Sequence, residues 1–600
     1  MKILGVYLSL PATVSLYIDG RIVAATHEER FSREKNDDRY PECAIQSCLD
    51  IAGISIDEVD YIAIASYKAA ALATIIQKNR WTVDDYLTEQ YKIWKPFFID
   101  KTSKKMPYLE IFKEKIDLSR YPNQILEKYL LDENANESFD NDRPEILASI
   151  LGIDISKCFL VEHHRSHAAY SYYASNFREE KILSLTVDGW GDFKNATIGE
   201  FDEAGKYTEH YATDQCGIGR IYRYMTLLLG MKPNEHEFKV MGLAPYGKEK
   251  YAQKALDIFR STLYVDGTEF KWKIKPTDSY FWFKERLEGV RFDNVAFALQ
   301  LWVEELLLEW VKNSVVKYGI NKVVMSGGVA MNIKAMGKIA ELDCVHDLFI
   351  GGSASDESLA IGSAICLAED ITNKKNEIWN SNNVESLPHL YLGPEASDSE
   401  ELEVIKVAKN IPNYLITKLP SNSLIASLLK DGKVIARCVG RMEFGQRSLG
   451  NRSILADPMI LQVKDKINSM IKSRDFWMPF APIVLDRYVD KYLINPKGLK
   501  SPHMTIGFNT TKEGFESMIA ACHPADQSAR PQILEKNSNP ELYDLIEEFE
   551  KITGRGAILN TSFNLHGYPI VNTPQDAYDV FNRSGLDGLI LNNHLITKIS

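Results

Sequence analysis

Two distant stretches of the chain share one pattern of apolar and polar positions. The first, KILGVYLSLPATVSLYIDGRIVAATHEER, begins at Lys2, and the second, KILSLTVDGWGDFKNATIGEFDEAGKYTEHY, begins at Lys181. Each contains a short apolar run, a turn, and then alternating runs joined by a tight turn, at Asp19-Gly20 or at Ala204-Gly205. Alternation with period two on both sides of such a turn predicts a β-hairpin. The pattern therefore predicts a duplicated β-hairpin unit, which is typical of actin-like, sugar-kinase-like ATPases.

The remaining pattern predicts an insertion and two α/β domains. Residues 67–144 are aromatic and charged, with helical runs such as LEIFKEKI and QILEKYLL, and we expect an inserted helical subdomain there. The polar segment NKKNEIWNSNNVES, from Asn373, is typical of a linker. A chain of 600 residues exceeds what one core usually serves. We therefore predict a domain over residues 1–385 and a second over residues 386–600, where strands such as KVIARCVG alternate with helices.

Charge and cysteine content bear on the partners and the cellular location that the protein can have. The net charge of −12, with scattered basic residues, argues against a nucleic-acid partner. The eight cysteines form no CxxC pair, which favours a reducing, cytoplasmic location. The apolar start is better explained by the hairpin than by a signal peptide, and no apolar run approaches the ~20 residues that span a bilayer. The sequence predicts a cytosolic protein without a membrane partner.

The stretch VEHHRSHAAY suggests a metal site. On a helix, His163 and His167 lie four residues apart and project from one face, a spacing that offers two imidazoles to one metal. Asp188 follows a buried strand in the second repeat, and Asp356 ends a loop after another apolar strand. Two histidines and two carboxylates suit iron or zinc with open coordination positions. The alternative is a solvated or hydrogen-bonded helix face.

Two further patterns suggest anion binding. In MSGGVAMN, Gly327 and Gly328 follow a strand, so backbone amides could approach a phosphate or adenosine, although a tight packing turn is equally consistent. The later part concentrates cations among apolar residues, which favours a phosphate-rich ligand over a structural salt-bridge cluster. Neutral groups that could bind an amide-like group accompany them in LNTSFN. The cations are Arg447, Arg452, Lys472, Arg474 and Arg530, and the neutral groups are Asn560, Ser562 and Asn564.

With these motifs in view, nearly the whole chain resembles the O-carbamoyltransferases of nodulation and of antibiotic and toxin tailoring. The resemblance rests on the motifs EERFSREKNDDRYP, HHRSHAAY, FKVMGLAPYG, MSGGVAMN, EFGQRSLGNRSILADP, HPADQSARPQ and LNTSFNLHGYPIV, in this order. The fold it implies is a duplicated actin-like domain, similar to the transferase that makes threonylcarbamoyladenosine on tRNA. A domain similar to threonylcarbamoyl-AMP synthase, the YrdC-like fold, is expected to follow.

The resemblance also implies a reaction. Carbamoyl phosphate and ATP, with Mg(II), give carbamoyl-adenylate in the C-terminal domain, and the N-terminal domain transfers the carbamoyl group to a hydroxyl of a small natural product. The four candidate metal ligands match the family's Fe(II) site, in which another divalent metal is an option. Arg447, Lys472, Arg530, Asn560 and Ser562 match the residues that hold the carbamoyl and phosphate groups, and Arg452 and Arg474 are placed with them. Lys239, Gly327, Gly328 and Asn332 are the candidates for nucleotide binding in the N-terminal domain.

The sequence leaves some questions open. Leu10 and Pro11 stand where many family members carry a His-Asp pair, so the base that serves the acceptor is unassigned. Neither the acceptor nor the oligomeric state can be inferred, and a homodimer is one option. The alternatives are an actin-like small-molecule kinase, which leaves the C-terminal cations unexplained, and a catalytically inactive nucleotide-binding regulator.

Overall fold

The computed structural model describes residues 1–103, 106–472 and 474–599, and the chain divides into two compact units. Unit 1 comprises Met1–Glu28 and Asn36–Leu387, and unit 2 comprises Glu29–Lys35 and Pro388–Ser600. The short segment assigned to unit 2 near the start of the chain contains the one-turn helix α1 (Glu29–Ser32). Both units combine helices with sheets, which confirms the predicted mixed α/β class.

Unit 1 is built on two sheets with the same strand order. Its strands are β1 (Lys2–Tyr7), β2 (Thr13–Ile18), β3 (Arg21–His27), β4 (Tyr61–Ala65), β5 (Cys158–Val161), β6 (Ile182–Gly191), β7 (Lys194–Phe201), β8 (Tyr207–Thr213), β9 (Leu263–Asp266), β10 (Glu269–Trp272), β11 (Lys322–Ser326) and β12 (Asp347–Ile350). In the described ranges, one sheet has the order β3-β2-β1-β4-β5 and the other β8-β7-β6-β11-β12, while β9 and β10 form a separate hairpin.

The two sheets also share their strand directions. The first three strands of each are antiparallel neighbours, β1-β2-β3 and β6-β7-β8. The last two of each, β4-β5 and β11-β12, continue parallel from β1 and β6. The two similar stretches found in the sequence thus form equivalent antiparallel parts of the two sheets. Parallel strands need long crossovers, which accounts for the helical segments inserted between them.

Helices cover the sheets and fill the crossovers of unit 1. They are α2 (Glu42–Ala52), α3 (Ala71–Ile75), α4 (Val83–Glu89), α5 (Tyr108–Ile111), α6 (Ala135–Leu151), α7 (His163–Ala174), α8 (Ile218–Leu228), α9 (Glu237–Leu243), α10 (Glu249–Arg260), α11 (Phe281–Arg286), α12 (Phe292–Tyr318), α13 (Ile333–Glu341) and α14 (Leu359–Lys374). None of the described helices combines the length and the apolar character needed to cross a bilayer.

The crossover between β4 and β5 is helical, as the insertion was predicted to be, but its pieces are shorter than the pattern indicated. The run LEIFKEKI contributes only the end of α5, and QILEKYLL lies mostly in a 3₁₀ segment, Pro122–Tyr129. Left-handed backbone at Asn123 and Gln124 prevents a regular helix there. Directly after α4 the chain continues as a π-helical segment, Gln90–Ile99.

Unit 2 is organised around one mixed sheet. Its strands are β13 (Tyr414–Lys418), β14 (Ile435–Cys438), β15 (Arg452–Ala456), β16 (Ala481–Leu485), β17 (Gln532–Leu534), β18 (Ala557–Ser562), β19 (Gly588–Ile590) and β20 (His594–Lys598). The strand order in the described part is β13-β20-β19-β14-β15-β18-β16-β17. The helices are α15 (Asp398–Ala408), α16 (Asn422–Lys430), α17 (Leu461–Ile467), α18 (Val489–Tyr492), α19 (Lys512–Met518), α20 (Pro540–Thr553) and α21 (Pro574–Asn582).

A close approach between α7 and α14 fixes the centre of unit 1. A Cβ atom at Gly362, in α14, would lie 1.9 Å from the carbonyl oxygen of Ser166 in α7. Glycine is therefore required for the two helices to touch at this point. Because α7 begins at His163 and α14 follows directly after Asp356–Ser358, this contact sets the separation of two segments that carry candidate metal ligands.

The Gly362→Ala variant tests this contact. We expect the free energy of unfolding to fall by about 1–3 kcal/mol, because the added methyl group has no space and the two helices must separate. Denaturant titration followed by circular dichroism measures the change. Ser363→Ala, the neighbouring control, adds no atoms and removes one hydrogen bond to Ala360 O, so about 1 kcal/mol or less is expected. A Gly362→Ala protein as stable as the wild type would show that the helices can separate freely.

Candidate functional site

Helix α7 begins at His163 and carries two of the predicted ligands. Its first turn is capped by Glu162, whose carboxylate accepts a hydrogen bond of 2.6 Å from the Arg165 amide. His163 and His167 are four residues apart, so both imidazoles lie on one face of the helix. That face is buried, with the histidines only 2% and 0% exposed. The alternative of a solvated helix face is therefore wrong.

The structure brings Asp188 and Asp356 to these histidines. Asp188 lies near the end of β6, and Asp356 begins the 3₁₀ turn that precedes α14. Asp188 Oδ2 is 3.2 Å from Nε2 of both His163 and His167. Asp356 Oδ1 is 3.8 Å from His163 Nε2 and 3.6 Å from His167 Nε2. One ligand atom from each of the four side chains lies within 4.8 Å of the other three.

Hydrogen bonds behind the histidines orient their rings. His163 Nδ1 lies 3.4 Å from Ser66 Oγ, and His167 Nδ1 lies 3.2 Å from Ser326 Oγ. Each serine hydroxyl donates its own proton elsewhere, Ser66 to Asp192 and Ser326 to Ala354 O. Because a hydroxyl has one proton, both serines must accept from Nδ1–H of the histidines. The Nε2 lone pairs are then directed at the centre, as in metal sites whose outer hydrogen bonds fix the tautomer.

Electrostatics show that this centre needs a positive charge. Burial raises the pKa of Asp356, and the neighbouring Asp188 charge adds to this effect. Although burial opposes it, hydrogen bonds from His163 and His167 hold the pKa of Asp188 well below its usual range. Burial also opposes protonation of His167, but the two carboxylates raise its pKa to about 9. A proton on the histidine or a divalent cation can supply the charge, and two imidazoles with two carboxylates fit Fe(II) or Zn(II).

One residue of this site was missed in the sequence. Asp192, 6% exposed, accepts hydrogen bonds of 2.8 Å from the amides of Tyr67 and His163 and 2.9 Å from that of Lys68. Its fourth partner is the Ser66 hydroxyl, at 2.9 Å. Asp192 therefore joins the start of the helical insertion to the start of α7. No motif marks such a role, because its partners are main-chain groups remote in sequence.

The residues predicted to bind nucleotide in unit 1 lie in two places. Gly327, with φ +96°, and Gly328 follow β11, and a Cβ atom at Gly328 would lie 3.1 Å from Asp188 Oδ1. The glycine pair therefore lies against the His-Asp cluster. Asn332 caps α13 through the Ala335 amide and forms a two-way amide pair with Gln300, so its side chain is used by the fold. Lys239 lies in α9.

Three of the predicted cations in unit 2 are linked by charge: Arg474 acts on Lys472 and on Arg530, and Arg447 acts on Arg474 and Arg530. Burial lowers the pKa of Lys472 well below its usual range, and the charges of Arg474 and Lys35 lower it further. Burial and Arg447 lower the pKa of Arg474 to about 10. Burial, Arg447 and Arg474 likewise lower the pKa of Arg530. Within the described residues, no acidic group is among the charges that act on Lys472, Arg474 or Arg530. We call Arg447, Lys472, Arg474 and Arg530 the cation cluster.

Neutral groups orient part of the cation cluster. Lys472 Nζ donates to oxygens of Ser562, at 2.5 Å and 3.1 Å, and of Asn564, at 2.6 Å and 3.2 Å. Arg474 donates to Thr561 Oγ1 at 3.2 Å. These contacts hold the cations in place without neutralising them. Such an arrangement favours an anionic ligand, because buried like charges are costly without a counter-charge.

The side chains of two other predicted ligand-binding residues form hydrogen bonds within the fold. Arg452 is fully buried, and its guanidinium donates to the main-chain oxygens of Val439, Gly440 and Asn572, at 2.7 Å, 3.2 Å and 2.9 Å. Its expected place among the phosphate ligands is corrected accordingly, since these donors already have acceptors. Asn560 donates to Ser448 O at 2.9 Å, so it braces the loop that leads from Arg447 into β15.

The Asp192→Asn variant tests whether the Asp192 carboxylate joins the start of the helical insertion to the start of α7. Asparagine tolerates the left-handed backbone at this position, where φ is +48°, but offers one acceptor oxygen for four donors. Buried donors then lose partners, and we expect the free energy of unfolding to fall by about 1–3 kcal/mol in a denaturant titration. Asp202→Asn is the matched control, because this half-buried turn carboxylate also accepts main-chain hydrogen bonds, from Ala204 and Lys206. Equal losses in the two variants would contradict the role.

Two family models together match most of the chain. Family models described as Carbamoyltransferase N-terminus and Carbamoyltransferase C-terminus match residues 2–365 and 426–598. An uncharacterized protein of Methanocaldococcus jannaschii is 30% identical over 100% of both chains. Nodulation protein NolNO of Sinorhizobium fredii is 29% identical, with 97% of this chain and 78% of that protein covered.

A relative named for its reaction is also similar. The 3'-hydroxymethylcephem-O-carbamoyltransferase of Streptomyces clavuligerus is 30% identical over 42% of this chain and 44% of that enzyme. The predicted resemblance is therefore confirmed, and so is the prediction that the protein is a transferase. With one family model covering more than half of its length and the other its later part, the chain belongs to the carbamoyltransferase family.

Proposed function

We propose that this enzyme is an ATP-dependent O-carbamoyltransferase that works in two stages. In the first, carbamoyl phosphate, ATP with Mg(II) and one water give carbamoyl-adenylate, phosphate and pyrophosphate in the C-terminal domain, residues 386–600. In the second, the domain over residues 1–385 passes the carbamoyl group to a hydroxyl of a small molecule and releases AMP. The proposal includes an actin-like fold for the first domain and a YrdC-like fold for the second.

The observation that carries the proposal is the cation cluster of unit 2. Adenylate formation brings carbamoyl phosphate together with the phosphates of ATP, and the negative charges of the two substrates repel one another. Arg474 and Arg530 have guanidinium groups that can bind phosphate oxygens in pairs, and Lys472 is held rigidly by neutral oxygens. Cations preorganised in a partly buried place stabilise developing charge without reorganisation during the reaction. A site of this charge suits carbamoyl phosphate and ATP better than it suits a neutral acceptor.

The His-Asp cluster of unit 1 suits the second stage. His163, His167, Asp188 and Asp356 would hold the divalent metal. When bound, the metal supplies a Lewis acid that can polarise a carbamoyl or phosphoryl oxygen. Around it, Tyr7 donates a hydrogen bond of 2.8 Å to Asp356 Oδ2 and so fixes that carboxylate. Burial raises the pKa of Tyr7 well above its usual value, with the Asp356 charge acting in the same direction, so the phenol keeps its proton.

In the transfer step, one bond to the carbamoyl carbon forms and another breaks. The acceptor oxygen forms a bond to the carbamoyl carbon, and the bond between that carbon and the bridging phosphate oxygen breaks. AMP leaves with the electron pair as a weakly basic anion, and the acceptor proton passes to a base or to solvent. AMP is a good leaving group, so the carbamoyl group is activated for attack by an ordinary hydroxyl. The nucleotide would lie next to the cluster beside Gly328, whereas Gly327 packs against the main chain of Val187, whose oxygen would lie 2.2 Å from a Cβ atom.

Metal content tests the role of the His-Asp cluster. Protein purified without chelator is expected to contain about one metal per chain by elemental analysis, and the variant with His163→Ala and His167→Ala is expected to contain none. His164→Gln is the control, because His164 is buried beside them but contacts Thr186 Oγ1, at 2.6 Å, with Nδ1. Wild-type metal content in the double variant would contradict the assignment.

The division of labour between the two sites gives a second test. Arg530→Gln is expected to slow carbamoyl-phosphate-dependent pyrophosphate release by about 100-fold or more, a barrier of roughly 3 kcal/mol, because a charge contact is lost. The His163→Ala, His167→Ala protein is expected to release pyrophosphate and yet to carbamoylate no acceptor. Synthetic carbamoyl-adenylate is expected to restore transfer by Arg530→Gln and not by the histidine variant.

The control for this experiment is Arg583→Gln, which changes an exposed arginine of the same unit. It is expected to behave as the wild type in both assays. Pyrophosphate release and product formation are measured side by side on the same preparations, with circular dichroism to verify folding. A single active site would make one set of variants lose both activities and leave the other set unaffected, and that result would refute the two-stage assignment.

A further inference from the structure

The helical insertion of unit 1 is fastened beside the His-Asp cluster. Asp192 binds the amides of Tyr67 and Lys68, where the insertion begins, and the amide of His163, where α7 begins. The same carboxylate is linked through Ser66 to the His163 ring. The insertion therefore starts at the place where the proposed carbamoyl transfer occurs. A molecule that contacts the insertion can reach the cluster without a large movement of the chain.

Helix α8 leaves from the same place. A Cβ atom at Gly219, in the first turn of α8, would lie 2.8 Å from the Cα of Gly189, the residue after Asp188. Arg223 follows Gly219 by four residues and so lies on the same helix face, about 6 Å further along the axis. Arg223 is thus about one helical turn from the residues that adjoin the metal ligand Asp188.

Among the residues that the structure describes, no acceptor contacts the guanidinium of Arg223. Its Nε is buried and has no hydrogen-bond partner, and within the described ranges the group forms no ion pair with a carboxylate. Its guanidinium carbon lies 5.9 Å from the centres of the Tyr86 and Tyr224 rings, so aromatic side chains flank it. A buried donor left unpaired costs about 1–3 kcal/mol, and more when it is charged. Folded proteins retain such groups where a ligand supplies the acceptor.

The insertion approaches Arg223 at Tyr86, and polar groups that lack partners among the described residues follow Tyr86 along the chain. Tyr86, beside Arg223, lies in α4, and Gln90 follows it by one turn on the same face. Gln90 is 1% exposed, and neither its amide nitrogen nor its amide oxygen has a partner among the described residues. Trp94 Nε1, another four residues on, is also buried without a partner there. These groups lie in the π-helical segment, a feature frequent at functional sites.

Although burial opposes it, the charges of the nearby tyrosines and of Glu89 and Glu237 raise the pKa of Arg223, and neither acid forms an ion pair with it in the described part of the chain. Glu89 is already paired with Lys78, at 2.7 Å, and accepts a hydrogen bond of 2.8 Å from Tyr108. Burial raises the pKa of Glu237 to about 7, although the Asn234 amide opposes this by donating to its carboxylate, so much of its charge is absent near neutral pH. The positive charge of Arg223 therefore remains largely available to a ligand.

We propose that Arg223, Gln90 and Trp94 form the binding site for the hydroxyl acceptor, and that the acceptor carries a carboxylate or phosphate group held by Arg223. The planar guanidinium can bind either group through two parallel hydrogen bonds. The Gln90 amide can donate to or accept from hydroxyls, Trp94 Nε1–H can donate to them, and the tyrosine rings offer an apolar face to a ring compound. The assignment as an acceptor site rests on the proposed transfer function. The anion preference is a separate statement about binding.

Ligand binding to the full-length protein tests the proposal. The probes are D-glucuronate and glucose 6-phosphate, which are hydroxylated anions with a carboxylate and a phosphate, and glucose as their neutral counterpart. We expect at least one anionic probe to raise the midpoint temperature of unfolding and to bind in calorimetry, and glucose to do neither. Arg223→Gln is expected to weaken that binding by about tenfold or more, because the charge contact is lost, and Arg223→Lys by less, because the charge remains.

The matched control is Arg220→Gln, which removes an exposed arginine of the same helix that stacks on Trp190 at 5.2 Å. It is expected to bind the anionic probe as the wild type does. The proposal is overturned if neither anion binds, if glucose binds equally well, or if Arg223→Gln and Arg223→Lys keep wild-type affinity. Pyrophosphate release is expected to be unchanged in the Arg220→Gln control. Its absence in the wild type would instead refute the two-stage function and leave the binding result standing.

Discussion

The constraint on which unit 1 depends is the burial of two carboxylates against two imidazoles. Removing Asp188 and Asp356 from water is costly unless a positive charge meets them, and neither can move without breaking contacts to His163 and His167. The surrounding fold holds each group in one orientation, with serine hydroxyls behind the rings and the close contact at Gly362 between the two helices. The centre is thereby prepared for a cation before any substrate arrives.

In unit 2 the charged groups that lie together are cations rather than carboxylates. Lys472 is surrounded by neutral oxygens that orient it, and the other charges that act on it are those of Arg474 and Lys35. Among the described residues, unit 1 therefore gathers buried carboxylates and unit 2 gathers cations, so the two sites carry groups of opposite sign. A reaction that first gathers phosphates and then transfers a carbamoyl group needs both kinds of site. One site of either sign could not serve both steps well.

Much of this arrangement could be predicted from sequence, because local patterns encode it. Alternation gave the two hairpins, and the four-residue spacing gave the face shared by His163 and His167. The clustering of cations in the sequence does not show which acceptors their guanidinium groups contact. Arg452 was therefore predicted to bind phosphate, although its guanidinium donates to main-chain oxygens of the fold. Asp192 was missed because its partners are amides brought together only by folding. The assignment of Glu29–Lys35 to unit 2 likewise depends on tertiary contacts that no local pattern records.

If the insertion binds the acceptor and the His-Asp cluster holds a metal, as proposed, the way the insertion is attached separates acceptor recognition from the chemistry. The cluster is built on α7, the end of β6 and the turn before α14, all of which belong to the framework of the two sheets. The insertion joins that framework through the ends of β4 and β5 and through Asp192, so its other side chains can change without moving a metal ligand. Arg223 lies in α8, whose start is fixed against Gly189, while the polar groups proposed to bind the acceptor with it belong to the insertion. With Arg223 fixed in the framework and the insertion free to vary in sequence, the same His-Asp cluster could serve acceptors of different shape.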